Sequence, residues 1–364
     1  MHESSLVSKR LLLNAEPFGF GPAAAIATFF PMFRERFGHI AYIGSGHTLD
    51  LQRPLPYDDI FDLSERSERD VDAVLSGYDV FLTATDFGMA ERAKACGSTV
   101  IIYDPLTWYW KEVPAAVCGC DLYLPQDFFG VRERLASEPD AFPESVRVVP
   151  PIVAGRRRSS GKHVLINLGG LQNPFWSVDE AVRYAESCVG AILGCVPPGD
   201  GIVIATSGAI ARRLSDGRAK SYPRNGMLDI LAETRYAFMT PGLGNIYDAA
   251  EYGIPVVWLP PANDSQGQQL ELLRRNGMVD AVVDWSELDC PIDYFAEQPE
   301  VLRNISEAVN GVSPAGALSD AVRCSYEAVV GKNIGAAAGL LDKFGTGGAQ
   351  AVVDAVCGFV IAKD

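Results

Sequence analysis

A short glycine-containing loop is the part of this sequence whose residue types point most directly to chemistry. In the stretch YAFMTPGLGNIYDAAEYGIPVVWLPP, an apolar run stops at Gly242 and Gly244, and a helix-like segment begins at once. Glycines let the backbone approach an anion closely, and the first N–H groups of a helix point toward it. Asn245 is placed to cap the helix or to donate to a phosphate oxygen, and Asp248 to accept from paired sugar hydroxyls. The alternative is an ordinary strand-to-helix turn in which Asp248 favours the helix dipole.

The elements that must position this loop alternate along the chain. Predicted strands cover residues 11–13, 39–43, 79–84, 98–103, 121–124, 146–149, 163–168, 201–206, 236–240 and 255–259, and predicted helices cover 23–33, 89–96, 177–193, 265–276 and 299–310. Strands separated by helices of this length indicate α/β domains with parallel sheets. Ligands of open parallel sheets bind at the carboxyl ends of the strands, so this pattern favours an enzyme with its site in a cleft.

The length of the chain predicts more than one domain. At 364 residues it exceeds the ~250–300 residues at which single cores stop growing. Pro150-Pro151 and the segment 155–161 are typical of a hinge. We therefore predict an amino-terminal domain over 1–152, a linker over 153–161 with a solvated basic run at Arg156-Arg157-Arg158, and a carboxyl-terminal domain over 162–345. Residues 346–364 are predicted to be a helix, for which packing back on the amino-terminal domain is one option.

Charge and cysteine content limit the partners and the compartment. The net charge of −15 argues against nucleic acid or an anionic membrane as the main partner, but not against a phosphorylated small molecule. None of the eight cysteines forms a C-x-x-C pair, so no metal site is predicted. No apolar run approaches the ~20 residues that span a bilayer, and the first residues lack the apolar region of a signal peptide. We expect a cytoplasmic protein without membrane insertion, whose oligomeric state is left open, a homodimer included.

The order of residues after the glycine loop resembles a known family. Gly253-Ile254-Pro255 precedes a predicted strand, and Leu259-Pro260-Pro261 leads into the polar run ANDSQGQQ. This order is similar to the carboxyl-terminal signature of the GT-B glycosyltransferases, especially the group with the lipid II N-acetylglucosaminyltransferase and the macrolide and plant nucleotide-sugar transferases. The similarity covers residues 235–277. It implies a GT-B fold, with two Rossmann-like domains whose parallel sheets face each other across a cleft.

The resemblance implies that a nucleotide sugar, most simply a UDP-sugar, binds the carboxyl-terminal domain. Residues 242–245 would hold its diphosphate, and Asp248 would bind the ribose hydroxyls, where the family usually has a glutamate. Pro223 and Arg224 fall in the loop whose backbone holds the edge of the base. The implied donor-binding residues are Gly170, Gln172, Asn173, Ser207, Pro223, Arg224, Gly242, Leu243, Gly244, Asn245, Asp248, Asp264, Gln266 and Gln268, the last three of them at the donor sugar.

In the amino-terminal domain, the family has a glycine-rich first loop that faces the acceptor and often carries a catalytic histidine. This chain has NAEPFGFGPAAAIA, with Glu16 and no histidine. An inverting transfer needs a base, and Glu16 with a pKa raised by desolvation, or His47 at the end of the next strand, is the candidate. Asp86, which also ends a strand, is the third predicted catalytic residue. A capping or loop-bracing role is the alternative for all three.

The predicted acceptor-binding residues are Phe18, Gly19, Phe20, Asp104 and Trp108. Trp108 stands in the aromatic run Trp108-Tyr109-Trp110, which is suited to stacking on a flat acceptor, although plain packing is the alternative. The first loop also resembles the cytosylglucuronate-synthase-like transferases, which attach a sugar to a nucleobase.

Together these features predict a hexosyltransferase that moves a sugar from a nucleotide diphosphate sugar to a small acceptor, such as a nucleobase or another natural-product intermediate. No Asp-x-Asp motif stands at a strand end, since Asp70-Val71-Asp72 lies in a helix-like stretch. We therefore predict a metal-independent displacement without a cofactor, the nucleotide sugar being a co-substrate. The alternatives are a nucleotide-sugar 2-epimerase with the same fold and a non-catalytic nucleotide-sugar-binding protein.

Overall fold

The structure is a computed structural model that describes residues 4–155, 158–159, 161–171, 176–197 and 199–363. The chain divides into two compact units, which we call unit 1 (Met1–Val153 with Phe344–Asp364) and unit 2 (Ala154–Lys343). Each unit contains a six-stranded sheet whose neighbouring strands are all parallel. The predicted α/β fold class is confirmed.

Unit 1 has its first strand in the middle of its sheet, in the order β3-β2-β1-β4-β5-β6. The strands are β1 (Arg10–Ala15), β2 (His39–Gly44), β3 (Asp59–Asp62), β4 (Val80–Ala84), β5 (Thr99–Asp104) and β6 (Leu122–Pro125). The helices are α1 (Ser4–Val7), α2 (Gly21–Arg34), α3 (Thr48–Gln52), α4 (Glu68–Leu75), α5 (Phe87–Ala95), α6 (Ala115–Gly119) and α7 (Val131–Ser137), with 3₁₀ turns at Leu63–Glu65 and Pro139–Ala141. The middle strands are apolar runs buried on both faces, as helices on both sides of a parallel sheet require.

Unit 2 repeats this plan in the order β12-β11-β10-β7-β8-β9. The strands are β7 (His163–Asn167), β8 (Gly201–Ala205), β9 (Ala219–Lys220), β10 (Thr234–Met239), β11 (Val256–Trp258) and β12 (Ala281–Val282). The helices are α8 (Val178–Leu193), α9 (Gly208–Ala211), α10 (Arg224–Ala232), α11 (Leu243–Tyr252), α12 (Asp264–Arg275), α13 (Gln298–Gly311), α14 (Ala317–Val329) and α15 (Gly339–Phe344), with 3₁₀ turns at Trp285–Leu288 and Ala336–Ala338.

The strand order places a topological switch point in the middle of each sheet. In unit 1 the chain leaves β1 toward one edge and later resumes at β4 on its other side, and in unit 2 β7 and β10 are neighbours in the same way. The loops after these neighbouring strands diverge and leave a crevice at the carboxyl edge, which is where open α/β sheets bind ligands.

The edges of the sheets are where sequence and structure differ. The edge strands β3, β9 and β12 were not predicted, because they are short and lack a long apolar run. The strand predicted over 146–149 is wrong: this segment forms only isolated bridges, from Val146 to Tyr123 and from Val149 to Gln126. The two prolines that follow have no N–H to donate to a ladder, so pairing ends there.

The last helix, α16 (Gly348–Lys363), returns to unit 1 and packs on α2. Its buried side includes Val352, Val356 and Val360, which join the core beside β1. By length and composition alone, the stretch Ala336–Lys363 is apolar enough to cross a membrane, whereas no such stretch is predicted from the sequence. The stretch is interrupted at residues 345–347, and a core helix passes the same test.

The linker prediction is wrong at Arg158, which is not a solvated charge. Its guanidinium donates to the carbonyl oxygens of Thr234 (3.0 Å), Gly253 (3.2 Å), Asn333 (2.8 Å) and Arg235. These carbonyls belong to the start of β10, the end of α11 and the segment before α15, so one side chain holds three parts of unit 2 together. Burial lowers the pKa of Arg158 from its ordinary value. Residues 156, 157 and 160 lie outside the described residues.

Candidate functional site

The glycine loop of unit 2 lies at the switch point between β7 and β10. Gly242 is the N-cap residue of α11, and no side chain caps this helix. A Cβ built on Gly242 or on Gly244 would meet no atom within 4 Å. The first N–H groups of α11 therefore point toward open space at the carboxyl edge of the sheet, as an anion site requires.

Asn245 braces this loop through its side chain. Its Nδ2 donates to the Thr240 carbonyl oxygen (3.0 Å), and its Oδ1 accepts from Asn167 Nδ2 (3.0 Å). Thr240 Oγ1 in turn donates to the Gly169 carbonyl oxygen at 2.5 Å. The amide thus neither caps α11 nor stands free for a phosphate; it ties the loop after β10 to the loop after β7. Leu243, Gly244 and Asn245 offer their backbone N–H groups instead.

Gly170 and Gln266 bring a third loop to the same place. Gly170 has φ +75°, and a Cβ there would lie 3.1 Å from Gln266 Nε2. Gln266 is 3 % exposed, and its Oε1 accepts from the Ala262 N–H at 2.9 Å. The loops after β7, β10 and β11 therefore meet at one edge. The predicted residues Gln172 and Asn173 lie outside the described residues.

The three residues predicted at the donor sugar do not share a helix face. Gln268 Nε2 donates to the Tyr294 carbonyl oxygen (2.8 Å), and the buried Asp264 lies 3.4 Å from Gln298 Nε2. Each residue of a helix turns the side chain by about 100°, so Gln266 and Gln268 point in nearly opposite directions. Only Gln266 of the three lies against the glycine loop of β7; a joint sugar contact by all three is inconsistent with α12 as a regular helix.

Asp248 and Arg224 form a bidentate ion pair. Arg224 is the first residue of α10, after the N-cap residue Pro223, and its Nη1 and Nη2 lie 2.7 and 2.6 Å from the two oxygens of Asp248. The Asp248 side chain is 8 % exposed and that of Arg224 40 %. The family resemblance predicts Asp248 as an acceptor for ribose hydroxyls and a backbone contact at Arg224. In the structure the carboxylate is already paired, and the Arg224 side chain is the more exposed of the two.

Ser207 has a local role at the end of β8. Its Oγ accepts from the Ile210 N–H at 3.4 Å and so caps the short helix α9. Ser207 is 8 % exposed. The helix cap accounts for the hydrogen bond that this hydroxyl accepts.

In unit 1, a buried polar network lies at the switch point between β1 and β4. Asn14, which is 0 % exposed, donates to the Ile43 carbonyl oxygen (3.0 Å) and accepts from Thr83 Oγ1 (2.7 Å). Thr83 Oγ1 also accepts from the Asp86 N–H at 3.2 Å. The network ties the ends of β1, β2 and β4 to the segment that carries Asp86.

Asp86 is both a helix cap and a perturbed carboxylate. Its Oδ1 accepts from the Met89 N–H (3.0 Å) at the start of α5. Burial raises its pKa, while the Met89 N–H and the Asn14 amide lower it. The preceding residue, Thr85, has φ +60°, which is a strained conformation for a β-branched side chain. Strain of this kind is concentrated at functional sites.

Glu16 follows β1 and lies beside this segment. Its backbone N–H donates to the Ala84 carbonyl oxygen at 3.0 Å. Burial, and then the neighbouring Asp86 carboxylate, raise its pKa to about 7. The direction and the main cause are those expected from the sequence. A carboxyl group of this kind exchanges its proton near neutral pH, as a general base or acid needs to do.

His47 braces the first loop. Its Nε2 donates to the Gly19 carbonyl oxygen at 2.5 Å, and its ring meets Phe20 edge-on with centroids 5.0 Å apart. Gly19 has φ +62°, which a glycine adopts readily. The structure therefore favours the bracing role of His47, and it leaves only Nδ1 of the ring to accept a proton.

Asp104 is a buried structural group. It is 0 % exposed, and its oxygens accept from Tyr123 Oη (2.6 Å), Trp110 Nε1 (2.9 Å) and the Leu106 N–H (2.6 Å). Burial raises its pKa, and the hydrogen bonds, which lower the pKa, offset only part of this rise. No surface of Asp104 remains for a ligand, so the acceptor contact predicted for it has no support in this conformation.

Asp104 positions the aromatic run that follows it by accepting a hydrogen bond from Trp110. The Trp110 ring, held by that carboxylate, meets Phe87 edge-on with centroids 5.2 Å apart, and Phe87 directly follows Asp86. Trp108 donates from Nε1 to the Pro105 carbonyl oxygen (3.1 Å) and packs on Phe128. Trp110 is therefore the member of the run that contacts the residue after Asp86, whereas the residues predicted from the sequence are Trp108 and, from the first loop, Phe18 and Phe20.

Several residues of both sites are not among those predicted from the sequence. All are polar and lie within one residue of the last position of an apolar strand: Asn14, Thr83 and Thr85 in unit 1, and Asn167 and Thr240 in unit 2. A polar side chain in that position is the available sequence signal, because the strand end is buried and the side chain needs a partner there. Within the described part of the chain, no group of three or more His, Cys, Asp or Glu side chains is arranged to hold a metal ion.

Comparison with solved structures finds a shared fold over nearly the whole chain. The crystal structure of MurG from Acinetobacter baumannii is 12 % identical, with 98 % of this chain and 100 % of that chain covered and a TM-score of 0.60. The UDP-L-rhamnose complex of UGT89C1 from Arabidopsis thaliana is 10 % identical, with 95 % and 100 % covered and a TM-score of 0.52. The chain has the GT-B fold. This confirms the fold that the sequence resemblance implied.

Among the comparisons with known proteins, the matches come from solved structures. No family model matches the sequence, and no curated protein matches it. At 10 to 12 % identity the shared feature is the fold, so the function of this GT-B chain has to be argued from its own side chains.

Proposed function

We propose that this chain is a glycosyltransferase that takes a sugar from a nucleoside diphosphate sugar and transfers it to a small acceptor. The observation that carries the proposal is the uncapped amino terminus of α11, which has glycines at 242 and 244 and open space over both. It lies at the switch point of unit 2, where loops from three neighbouring strands meet. A diphosphate is the anion that such a terminus suits, because several N–H groups and the helix dipole act on it together.

The chemistry proposed is a displacement at the anomeric carbon. The acceptor heteroatom forms a bond to that carbon while the bond from the carbon to the diphosphate oxygen breaks, and the nucleoside diphosphate leaves with the electron pair. The N–H groups of α11 stabilise the charge that develops on the leaving group, without a metal ion. Glu16 accepts the proton of the acceptor, since its pKa of about 7 keeps part of it ionised at neutral pH.

The acceptor proposed is a flat molecule, such as a nucleobase or another natural-product intermediate. The support for it is the aromatic run of unit 1, whose Trp110 ring lies against Phe87, next to Asp86. An aromatic face beside an acid–base group both binds a planar ring and orients its nucleophilic atom. UDP is the first nucleotide to test, because the neighbouring Arabidopsis structure was determined with UDP-L-rhamnose.

The test is a thermal-shift series with UDP, TDP and GDP on the wild type, Gly244→Val and Gly311→Val. Ligand binding to the native state raises Tm. Gly244→Val places a branched side chain in the open space over α11 without an internal clash, so we expect Tm without ligand to stay the same and the ligand shift to be lost. Gly311, at the end of α13, also has open space around its Cβ position, and Gly311→Val should retain the shift.

Failure of all three nucleotides to shift the wild type would remove the basis of the proposal. Incubation of the binding nucleotide sugar without acceptor separates the reaction types. A transferase leaves the sugar configuration unchanged, whereas conversion to a new nucleotide sugar would favour the epimerase over the transferase.

A further inference from the structure

Trp110 of unit 1 lies on a loop without regular secondary structure. Residues 105–114 connect β5 to α6 and form neither a helix nor a strand. The Trp110 ring meets Phe87 edge-on, with centroids 5.2 Å apart, and Phe87 directly follows Asp86. Such a loop has no ladder of backbone hydrogen bonds to fix its side chains, so the position of the ring depends on contacts from neighbouring elements.

The indole group of Trp110 is held by β5 and β6. Its Nε1 donates to Asp104 Oδ2 at 2.9 Å, and the same oxygen accepts from Tyr123 Oη at 2.6 Å. Tyr123 Oη also lies 2.8 Å from Thr107 Oγ1, which belongs to the loop. Asp104 and Tyr123 are both fully buried, so water does not compete for these hydrogen bonds.

The main chain of the same loop is held by Arg134 on α7. Its Nη1 donates to the carbonyl oxygens of Thr107 (3.2 Å) and Trp110, and its Nη2 donates to that of Lys111 (3.1 Å). Among the described residues, no backbone N–H donates to the carbonyl oxygens of Thr107 and Trp110. One guanidinium therefore replaces the backbone partners that this part of the loop lacks.

The burial of Arg134 shows what the guanidinium is for. Its side chain is 11 % exposed, and the carboxylate paired with it, Glu138, is 47 % exposed, with Nη2 and Oε2 3.4 Å apart. Removal of a cation from water is costly, and an exposed ion pair offsets little of that cost. A planar guanidinium can meet several carbonyl oxygens at once, which an ammonium group does less well. The carbonyl contacts therefore account for an arginine at this position.

Trp110 is thus fixed at both its side chain and its main chain. A ring that is fixed before a ligand arrives loses less conformational entropy on binding, and it fits flat ligands better than bulky ones. We propose that Arg134 is a positioning residue for the acceptor, which acts through Trp110 by holding its ring as a rigid wall beside Asp86. The inference rests on the proposed function and adds to it a residue, on a separate helix, that sets the preference for planar acceptors.

The first test is the binding of two planar probes, 7-hydroxycoumarin and cytosine, to the full chain. Fluorescence titration measures the coumarin, and competition with it measures cytosine. We expect Arg134→Met to weaken the binding of 7-hydroxycoumarin about threefold to tenfold, since the loosened ring must then be ordered by the ligand. UDP affinity, measured by calorimetry, should not change, because the proposed nucleotide site lies in unit 2. Equal weakening of UDP and the coumarin, or no weakening of the coumarin, would contradict the inference.

A double-mutant cycle tests whether Arg134 acts through the ring. Trp110→Leu removes the flat wall and should weaken the binding of 7-hydroxycoumarin. The double variant Arg134→Met/Trp110→Leu should bind the coumarin no more weakly than Trp110→Leu alone, because the group that Arg134 positions is then absent. Losses that add in the double variant would mean that Arg134 affects the acceptor by another route.

Two further variants separate geometry from charge. Arg134→Lys keeps the charge but not the planar guanidinium, so coumarin binding should stay weak; full recovery by lysine would contradict the role of the carbonyl contacts. Arg132→Met, also on α7, removes a 68 % exposed side chain whose Nη2 lies 2.7 Å from Asp127, and it should bind the coumarin as the wild type does. A loss in Arg132→Met as large as in Arg134→Met would assign the effect to the charge of α7 in general.

A readout without ligand keeps the inference testable if Arg134→Met lowers stability. The chain has five tryptophans, so labelling with 5-fluorotryptophan gives five fluorine NMR signals, and Trp110→Leu identifies that of Trp110. In Arg134→Met the Trp110 signal should shift or broaden, while those of Trp258 and Trp285, buried in unit 2, should stay unchanged and report that the chain is folded. An unchanged Trp110 signal would overturn the inference.

The outcome for the wild type separates this inference from the proposed function. If UDP, TDP and GDP all fail to bind, both fall. If a nucleotide binds but neither planar probe does, the donor part of the proposed function stands and the inference falls. If the coumarin binds the wild type and Arg134→Met equally well, only the inference falls.

Discussion

Glu16 has a pKa well above that of an ordinary carboxylate. Its surroundings remove water, and Asp86 adds a like charge nearby, so the neutral form is favoured up to a pKa of about 7. Asp86 is itself held by the Met89 N–H and by the network of Asn14 and Thr83. The pKa of Glu16, the proposed general base, thus depends on Asp86, which the network at the ends of β1, β2 and β4 holds in place.

The raised pKa has a consequence for stability with a definite sign. An unfolded glutamic acid loses its proton near pH 4.5, whereas folded Glu16 keeps it up to about pH 7. Between these values the folded chain binds more protons, so the free energy of unfolding should fall as pH rises. Glu16→Gln should make that fall less steep, measured by urea unfolding at pH 5, 6 and 7 with the wild type in parallel.

Two variants control this measurement. Asp86→Asn removes the like charge and should move the Glu16 contribution to lower pH. Glu144→Gln changes an exposed carboxylate of the same unit and should leave the slope as in the wild type. A slope in Glu16→Gln identical to that of the wild type would contradict the raised pKa.

At the scale of elements, helices and loops decide which side chains can act together. Gln266 and Gln268 are two residues apart on α12, so one lies against the glycine loop of β7 and the other bonds to the carbonyl of Tyr294. Residues adjacent in a motif are thus separated by helix geometry. Conversely, Arg158 joins three segments that are distant in sequence.

We expect Arg158→Met to reduce the stability of unit 2 by about 2–4 kcal/mol, because unpaired buried carbonyl groups cost about 1–3 kcal/mol each. Hydrogen exchange should report it as lost protection in peptides that cover the start of β10 and the end of α11. Arg303→Met removes an exposed arginine of α13 and should leave that protection unchanged. Equal protection in Arg158→Met and Arg303→Met would show that the carbonyl contacts contribute little.

At the scale of the whole molecule, the chain closes unit 1 with residues from its far end. α16 begins at Gly348, whose N–H donates to the Pro151 carbonyl oxygen at 3.1 Å. A Cβ on Gly348 would lie 2.1 Å from the Pro150 carbonyl oxygen, so only glycine permits this contact. The last helix therefore enters the core of unit 1 at one defined point.

Gly348→Val should displace the start of α16 and destabilise unit 1 by about 1–3 kcal/mol, as overpacking does. Gly358→Val, on the same helix, meets only a side-chain atom at 3.9 Å and should be tolerated. Hydrogen exchange of α2 and α16 peptides would measure both. Unchanged protection of α2 in Gly348→Val would mean that α16 contributes little to the unit 1 core.

The sequence by itself determined the alternation of strands and helices, the two-part plan and the position of the glycine loop of α11. These are local properties, since apolar runs, glycines and prolines act on their own segment of chain. Short edge strands such as β9 and β12 were not determined in this way, because two residues carry no periodicity.

Only the tertiary structure decided which polar groups are free. The sequence predicts that Asp248 accepts hydrogen bonds from sugar hydroxyls. In the fold it accepts them from Arg224, which is 24 residues away. In the fold, Asp104 is buried and Asn245 joins two loops by hydrogen bonds. His47 donates to the first loop. Glu16 is partly buried next to Asp86, and both effects raise its pKa. Hydrogen bonding and burial depend on groups distant in sequence, and so a residue's chemistry was settled only when the strand ends met.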